Sequence, residues 1–341
     1  MKTVTLGKTG ITSPKNAFGA LPIQRITQSE AAKLLQKAYQ NGMTFFDTAR
    51  MYTDSEEKIG IALSSVRKNI TIATKTGATT TDGFWRDLET SLKMLKCDYV
   101  DIYQFHNIAF CPRPDDKTGL YEAMESAKKQ GMIKHIGLTN HRPKVALEAV
   151  ESGLYETLQF PFCYLATETD INIVNKCKEN NVGFIAMKGL SGGLITNSAA
   201  AYAWMEQFDN VLPIWGVQRE WELDEFLSYM DKESVMTDEI QTLIEKDRRE
   251  LLGNFCRACG YCMPCPKGIE INNCARMSQL IRRSPSAQWL TDEYKAKMMK
   301  IEECIDCGSC RSKCPYGLDT PNLLRLNLED YKKIASGEIK V

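Results

Sequence analysis

The sequence predicts an α/β chain: a parallel (β/α)8 barrel, the TIM barrel, followed by a small helical module rich in cysteine. Three observations predict it. Eight short β-rich apolar runs alternate with stretches whose apolar residues fall at helical spacing. No Gly-x-Gly-x-x-Gly follows the first run, which argues against an open dinucleotide-binding sheet. Nine of the 13 cysteines lie beyond residue 255.

The candidate strands are Asn16–Leu21, Met43–Thr48, Asn69–Lys75, Tyr99–His106, Lys134–Asn140, Thr157–Phe162, Gly183–Lys188 and Asn210–Val217. Each is followed by a segment of helical pattern, as a closed barrel of roughly 250 residues requires. Thr27 with Glu30, and Thr53 with Glu56, have the spacing of a capping box that opens a helix. Glu220–Met230 and Asp238–Leu252 are helical and highly charged, the last barrel helix and a connector. The expected domains are therefore 1–235 (barrel), 236–252 (helical connector) and 253–341 (cysteine module).

Hydrophobic content of 43% and charged content of 25% are ordinary for a globular chain. A formal net charge of zero gives no reason to expect a nucleic-acid or membrane-surface partner. No apolar run approaches the ~20 residues of a membrane span. The opening Met1-Lys2-Thr3-Val4-Thr5-Leu6-Gly7-Lys8 lacks the apolar stretch of a secretory signal, so a cytoplasmic location is expected. In that setting clustered cysteines read as metal ligands rather than disulfides.

The module contains Cys304-x2-Cys307-x2-Cys310-x3-Cys314-Pro315, the spacing of bacterial ferredoxins, in which the fourth cysteine ligates the other cluster. Cys256-x2-Cys259-x2-Cys262-x2-Cys265-Pro266 repeats it, one residue shorter before its last cysteine. Three thiolates two residues apart wrap one face of a cubane, and the remote cysteine closes the fourth iron. Gly260 and Gly308 would let backbone N–H groups approach the sulfides. The expectation is a ferredoxin-like domain holding two [4Fe–4S] clusters. By analogy one takes Cys256, Cys259, Cys262 and Cys314, and the other Cys304, Cys307, Cys310 and Cys265. The alternative is a pair of zinc ribbons, which carry two cysteines per knuckle rather than four per run. Cys274 reads as a buried packing residue, as do the scattered Cys97, Cys111, Cys163 and Cys177.

Barrel chemistry sits at the C-terminal ends of the strands. Those positions hold Asp47 and Tyr52 after the second run, Lys75 at the end of the third and His106 at the end of the fourth. Taken singly, Asp47 fits a helix cap, Lys75 a solvated charge, Tyr52 packing and His106 a satisfied core histidine. Four at successive strand ends point to a catalytic set.

At these residues the sequence resembles the aldo-keto reductases. Phe46-Asp47-Thr48-Ala49-x-x-Tyr52, Ala73-Thr74-Lys75 and Gln104-Phe105-His106-Asn107 match the family's catalytic tetrad motifs. Ile136-Gly137-Leu138-Thr139-Asn140, Leu158-Gln159-Phe160 and Ile185-Ala186-Met187-Lys188 match motifs of its later strands. Leu6-Gly7-Lys8-Thr9-Gly10-Ile11 and Gly19-Ala20-Leu21-Pro22 fit its N-terminal pattern. With the module included, the chain is similar to a branch of the family carrying a C-terminal 4Fe-4S domain. The resemblance implies an NAD(P)H-dependent oxidoreductase acting on a small carbonyl substrate. Tyr52 would be the general acid, Lys75 would lower its pKa by favouring the phenolate, Asp47 would balance Lys75, and His106 would orient the substrate oxygen. Thr139, Asn140 and Gln159 would hold a nicotinamide carboxamide. Met187 would stack on its ring, and Lys188, Leu190 and Ser191 would line the pyrophosphate loop.

The sequence departs from the family at the adenine end, where Arg219 is the only cation and Glu220 and Glu222 would repel a 2′-phosphate. Gly189 stands where the loop often has proline. Three functions follow: a nicotinamide-dependent carbonyl reductase with clusters passing single electrons to or from a ferredoxin or other redox protein; a reductase fed by its clusters without nicotinamide; or a non-catalytic electron-transfer or redox-sensing subunit.

Overall fold

All eight apolar runs become strands of a closed parallel barrel in the computed structural model, which describes residues 2–230, 235–251, 255–283 and 286–341. The chain opens with an antiparallel hairpin, β1 (Thr3–Thr5) and β2 (Thr12–Pro14). The barrel strands are β3 (Ala17–Gly19), β4 (Phe45–Asp47), β5 (Thr71–Thr76), β6 (Val100–His106), β7 (Ile133–Thr139), β8 (Thr157–Pro161), β9 (Gly183–Met187) and β10 (Val211–Gly216), with β10 closing against β3. The helices between and after them are α1 (Gln28–Gln40), α2 (Ser55–Leu63), α3 (Thr81–Leu95), α4 (Leu120–Lys129), α5 (Pro143–Glu151), α6 (Glu168–Glu179), α7 (Ser198–Met205) and α8 (Glu220–Ser228).

The hairpin is not apparent from the sequence, because strands of three residues are too short to display a period. It has a clear packing role. Val4 and Leu6 join Ala17, Phe45, Ala73, Ile102, Ile185 and Leu212 in one buried cluster. Burying two such side chains contributes about 3–6 kcal/mol. Gly7, at φ +49°, bridges to Val182, and a Cβ there would lie 2.4 Å from the Asn181 carbonyl oxygen.

The Thr27–Glu30 capping box opens α1 as expected, with both reciprocal bonds formed. The Thr53–Glu56 pair does not form one. The chain turns at Thr53, which adopts φ +40°, and α2 starts only at Ser55 with no side-chain cap. Glu56 is instead buried, accepting a hydrogen bond from Thr74 Oγ1 at 2.6 Å and pairing with Arg50.

The chain divides into two units, Met1–Gly189 with Ala201–Met236, and Thr237–Val341 with Leu190–Ala200. The connector expected at 236–252 is α9 (Asp238–Leu251) and belongs to the second unit; the expected boundary at 252–253 lies outside the described residues. Further helices of this unit are α10 (Ile271–Cys274), α11 (Met277–Arg283), α12 (Asp292–Met299), α13 (Ser309–Ser312) and α14 (Thr320–Ala335). α14 buries Leu324, Leu328, Tyr331 and Ile334. Asn327 ties it to the start of α11, its side-chain oxygen accepting from Ser278 N at 2.9 Å and its amide nitrogen donating to the Ala275 carbonyl at 3.3 Å. Ion pairs Arg282–Asp330 (2.6 Å) and Arg283–Asp247 (2.9 Å) fasten α11 to α14 and α9. Among the described residues no helix is long and apolar enough to cross a membrane.

Candidate functional site

Parallel register delivers the predicted residues to one end of the barrel. Gly19 pairs with Asp47, Lys75 with Gln104, His106 with Thr139, and Thr139 with Gln159. Asp47 and Lys75 are 2% and 0% exposed. Lys75 Nζ donates to both Asp47 oxygens at 2.7 Å and to the Thr48 carbonyl at 2.6 Å. Burial pushes Asp47 up and Lys75 down, and each charge opposes the shift of the other.

Tyr52 sits on the turn before α2, held by its N–H to the Ala49 carbonyl and its carbonyl to Ser55 N. Lys75 Nζ is 5.4 Å from its ring centre, and the His106 ring meets it edge-on at 5.8 Å. Burial, and after it the Asp47 carboxylate, push the Tyr52 phenol well above its ordinary value. Lys75, expected to favour the phenolate, is itself paired with Asp47. Its charge is committed to Asp47, which leaves burial to dominate. His106 is pushed down to about 3 by burial and by Lys75, so it is neutral near pH 7. Its Nδ1 is buried with no partner among the described residues.

The residues expected to grip a nicotinamide carboxamide come together, but their polar groups are engaged. Asn140 donates to the Ile108 carbonyl at 2.8 Å and accepts from His141 N and Arg142 N at 2.9 Å, a local turn of the Asx type. Gln159 accepts from Gln104 Nε2 at 2.9 Å and reaches Asp47 Oδ2 at 3.4 Å. Thr139 Oγ1 lies 3.9 Å from the Met187 sulfur. All three are at most 1% exposed. Gln104, part of the tetrad motif but given no role there, is the neighbour that donates to Gln159, and its own Oε1 has no partner among the described residues.

Met187 ends β9, and Lys188 just past it adopts φ +60°. Gly189 replaces the expected proline for a steric reason: a Cβ there would stand 2.4 Å from the Trp215 ring, which is buried and stacked on Phe226 at 4.5 Å. Arg219 points outward beside Trp221, 4.0 Å from Glu222, while Glu220 pairs with Lys37 at 2.7 Å. Leu190 and Ser191 belong to the second unit.

In that unit the cysteines surround two cavities. One is bordered by Cys256, Cys259, Cys262 and Cys314. The other is bordered by Cys265, Cys304, Cys307 and Cys310, with Cys262 also at its edge. Ile271 lies against both. Gly260 and Gly308 turn the chain at φ +83° and +70°. Among the described residues, no three His, Cys, Asp or Glu side chains are gathered as tightly as a single metal ion needs. Cys274 is 1% exposed, its sulfur 3.7 Å from the Lys297 carbonyl, and it borders neither cavity.

Two family models match the chain. Residues 15–209 match the aldo/keto reductase family and 255–319 match a 4Fe-4S dicluster domain. An uncharacterized oxidoreductase of Bacillus subtilis, YqkF, is 27% identical over 183 residues, covering 50% of this chain and 58% of that protein. The L-galactose dehydrogenase of Arabidopsis thaliana is 27% identical over 212 residues, covering 56% and 66%. The chain thus spans less than two thirds of the length of either relative. In fold it is similar to an aldo-keto reductase from Bacillus halodurans (TM-score 0.64, 19% identity, 72% of this chain and 96% of that one). It is likewise similar to an aldo-keto reductase of Klebsiella pneumoniae solved with NADPH (TM-score 0.62, 20% identity, 72% and 94%). With more than half its length matched by the family model, and a dicluster domain after it, the chain belongs to the aldo/keto reductase family of oxidoreductases.

Proposed function

We propose that this protein reduces the carbonyl group of a small molecule, with Tyr52 as proton donor, and exchanges single electrons through two [4Fe–4S] clusters. The observation that carries the first part is the buried Nδ1 of His106, without a partner among the described residues, on a ring that meets Tyr52 edge-on, with Lys75 of the Asp47–Lys75 pair 5.4 Å from the Tyr52 ring centre. A carbonyl oxygen placed between the two rings meets two uncharged hydrogen-bonding groups. Tyr52 remains protonated at neutral pH and gives up its Oη proton only as the oxygen gains negative charge. Neutral His106 fixes that oxygen by a hydrogen bond, without contributing a proton of its own. Lys75, held by Asp47, supplies the positive charge that stabilises the phenolate once it forms.

The cluster assignment is supported by the cavities, whose linings carry the crossed sets of a two-cluster ferredoxin, Cys256, Cys259, Cys262 and Cys314 around one and Cys304, Cys307, Cys310 and Cys265 around the other, with Cys262 reaching both. Four cysteines in each run also exceed the two per knuckle of a zinc ribbon.

The reducing equivalents come from NAD(P)H in the first reading, supported by family membership and by the relative that holds NADPH. A second reading, in which the clusters alone feed the barrel, is favoured by the engaged amides of Asn140 and Gln159. Either reading gives the clusters a small redox protein such as a ferredoxin as partner, and a cytoplasmic setting suits them. An anaerobic titration with NADH and NADPH, following visible and EPR spectra, separates the two: reduction by a nucleotide supports the first, and reduction only by a low-potential donor supports the second. Tyr52→Phe is expected to lower carbonyl turnover by about 10²-fold or more while leaving the visible cluster absorbance intact. Near-wild-type turnover in that variant would overturn the catalytic assignment.

A further inference from the structure

Arg276, just ahead of α11, is 7% exposed, and its Nε has no partner among the described residues. Its Nη1 lies 3.5 Å from the Ser191 carbonyl oxygen, a long and weak contact. The guanidinium borders Gly192: a Cβ built there would lie 3.1 Å from Nη1, 3.7 Å from Nη2 and 3.8 Å from Cζ. Arg283, seven residues on, provides a contrast. It reaches the Leu194 carbonyl of the same loop at 3.2 Å, and its charge is met by Asp247 and Glu250. Among the described residues no carboxylate pairs with Arg276.

An arginine is charged at every accessible pH, so burying one without a counter-anion is costly. A guanidinium has five N–H donors, and only Nη1 of Arg276 is directed at a described residue. Paired N–H groups of this kind grip two oxygens of one oxyanion. The loop beside it adds donors. The Ser191 and Gly192 N–H groups bond no described residue, whereas the Gly193 N–H bonds the Leu190 carbonyl at 2.9 Å. Gly192 is exposed at φ +65°, and the three atoms nearest the place of its missing Cβ all belong to the guanidinium. A ligand oxygen in that place stands within hydrogen-bond reach of Nη1. Guanidinium and backbone donors together suit an anion with three acceptor oxygens, a phosphate group, better than a carboxylate with two.

We propose that Arg276 and the loop at Ser191 and Gly192 form a phosphate-binding site within the second unit. The guanidinium meets the phosphate oxygens, and Gly192 is required because a side chain would stand in the ligand's place. The phosphate is one carried by a dinucleotide or one free in solution. The resemblance implies a pyrophosphate loop at Leu190 and Ser191 but no part for Arg276, 85 residues beyond Ser191, and that part is what the inference adds. The site uses none of the eight cysteines assigned to clusters. Only the identification of the phosphate as a dinucleotide's rests on the nicotinamide reading above.

The test uses the cluster-loaded full chain under anaerobic conditions. Calorimetry follows the binding of inorganic phosphate, pyrophosphate, NADH and NADPH to wild type, Arg276→Gln and Gly192→Ala. Wild type is expected to bind pyrophosphate, and Arg276→Gln to weaken that binding by about tenfold or more, the loss of a charged hydrogen-bond donor. Gly192→Ala keeps the charge, puts a methyl 3.1 Å from Nη1, and is expected to weaken it as well. A matching loss for NADH and NADPH identifies the phosphate as a dinucleotide's. Nucleotide affinity that holds while phosphate or pyrophosphate affinity falls identifies free phosphate as the ligand. A wild type that binds none of the four, or an assembled Arg276→Gln with wild-type affinity for all of them, overturns the proposal. A wild type that binds pyrophosphate but neither nucleotide supports the site and refutes the nicotinamide reading instead. Iron content and thermal midpoint establish assembly of each variant. If Arg276→Gln does not assemble, Gly192→Ala decides, and wild-type affinity in that variant overturns the site.

Discussion

Lys75→Met removes a cation whose Nζ lies 2.7 Å from each Asp47 oxygen inside the barrel. At that distance, with an effective dielectric of about 20, two unit charges attract by roughly 6 kcal/mol. In the intact pair much of this is offset by the cost of taking both ions out of water. Without Lys75 the cost on Asp47 remains and the attraction is gone, so stability is expected to fall by about 3–5 kcal/mol. The loss depends on pH. Burial already pushes Asp47 upward against the pull of Lys75, and without that pull its folded pKa rises further above the unfolded value near ~3.9. The folded variant then holds the Asp47 proton more tightly than the unfolded chain does. Its stability is therefore greatest at low pH and declines by about 1.4 kcal/mol per unit as pH climbs from the unfolded pKa to the folded one. Urea unfolding followed by tryptophan fluorescence, under anaerobic conditions, measures this at about pH 5 and about pH 8. The double variant Asp47→Asn/Lys75→Met carries neither charge and recovers most of the loss at the higher pH. A single variant with wild-type midpoints at both pH values, or a double variant no more stable than the single at the higher one, would refute the buried-pair argument.

Three further outcomes are expected. Histidine titrates near ~6.5 in the unfolded chain, whereas His106 is held down to about 3. Its contribution is present above that unfolded value and is lost at about 1.4 kcal/mol per unit as pH falls toward the folded one; His106→Asn should flatten that part of the acid-unfolding curve. Gly189→Ala places a methyl 2.4 Å from the Trp215 ring and should cost about 1–3 kcal/mol by overpacking, seen as a lower thermal midpoint; an unchanged midpoint contradicts the close approach. Cys307→Ser should halve the iron content and bleach one EPR signal, with the barrel's near-ultraviolet circular dichroism unchanged, because Cys307 borders only one of the two cavities; loss of both clusters would argue against separate ligand sets.

What the sequence made legible was local. The strand runs, the first capping box and the cysteine spacings each depend on residues a few positions apart, and a repeated period displays them. What it hid depended on distance in the chain. Thr53 and Glu56 have capping-box spacing, yet Thr74, 18 residues on, claims Glu56 for the barrel interior. Asn140 and Gln159 match a cofactor motif, yet their amides are satisfied by Ile108, Gln104 and Asp47, contacts that no spacing reveals. Arg276 belongs to no motif, and only its buried placement beside Ser191 marks it.

The same distinction bears on the acid at the barrel mouth. The resemblance implies a tyrosine whose phenolate is favoured by its lysine, and on the proposed reading that charge acts as the phenolate forms. The Lys75 charge is neutralised by two Asp47 oxygens, so the resting Tyr52 feels burial first and the Asp47 carboxylate second, both of which hold its proton in place. His106 beside it is neutral as well. Tyr52 and His106 are thus both uncharged at rest near pH 7. Lys75 becomes useful only when negative charge appears on that oxygen and then on the phenol, because only then is there an anion for it to stabilise besides Asp47. Stabilisation that grows along the reaction coordinate lowers the barrier without tightening ground-state binding. On the proposed reading, the protonated resting Tyr52 is the form that gives a proton to a carbonyl oxygen, and Lys75 acts on the phenolate that this leaves.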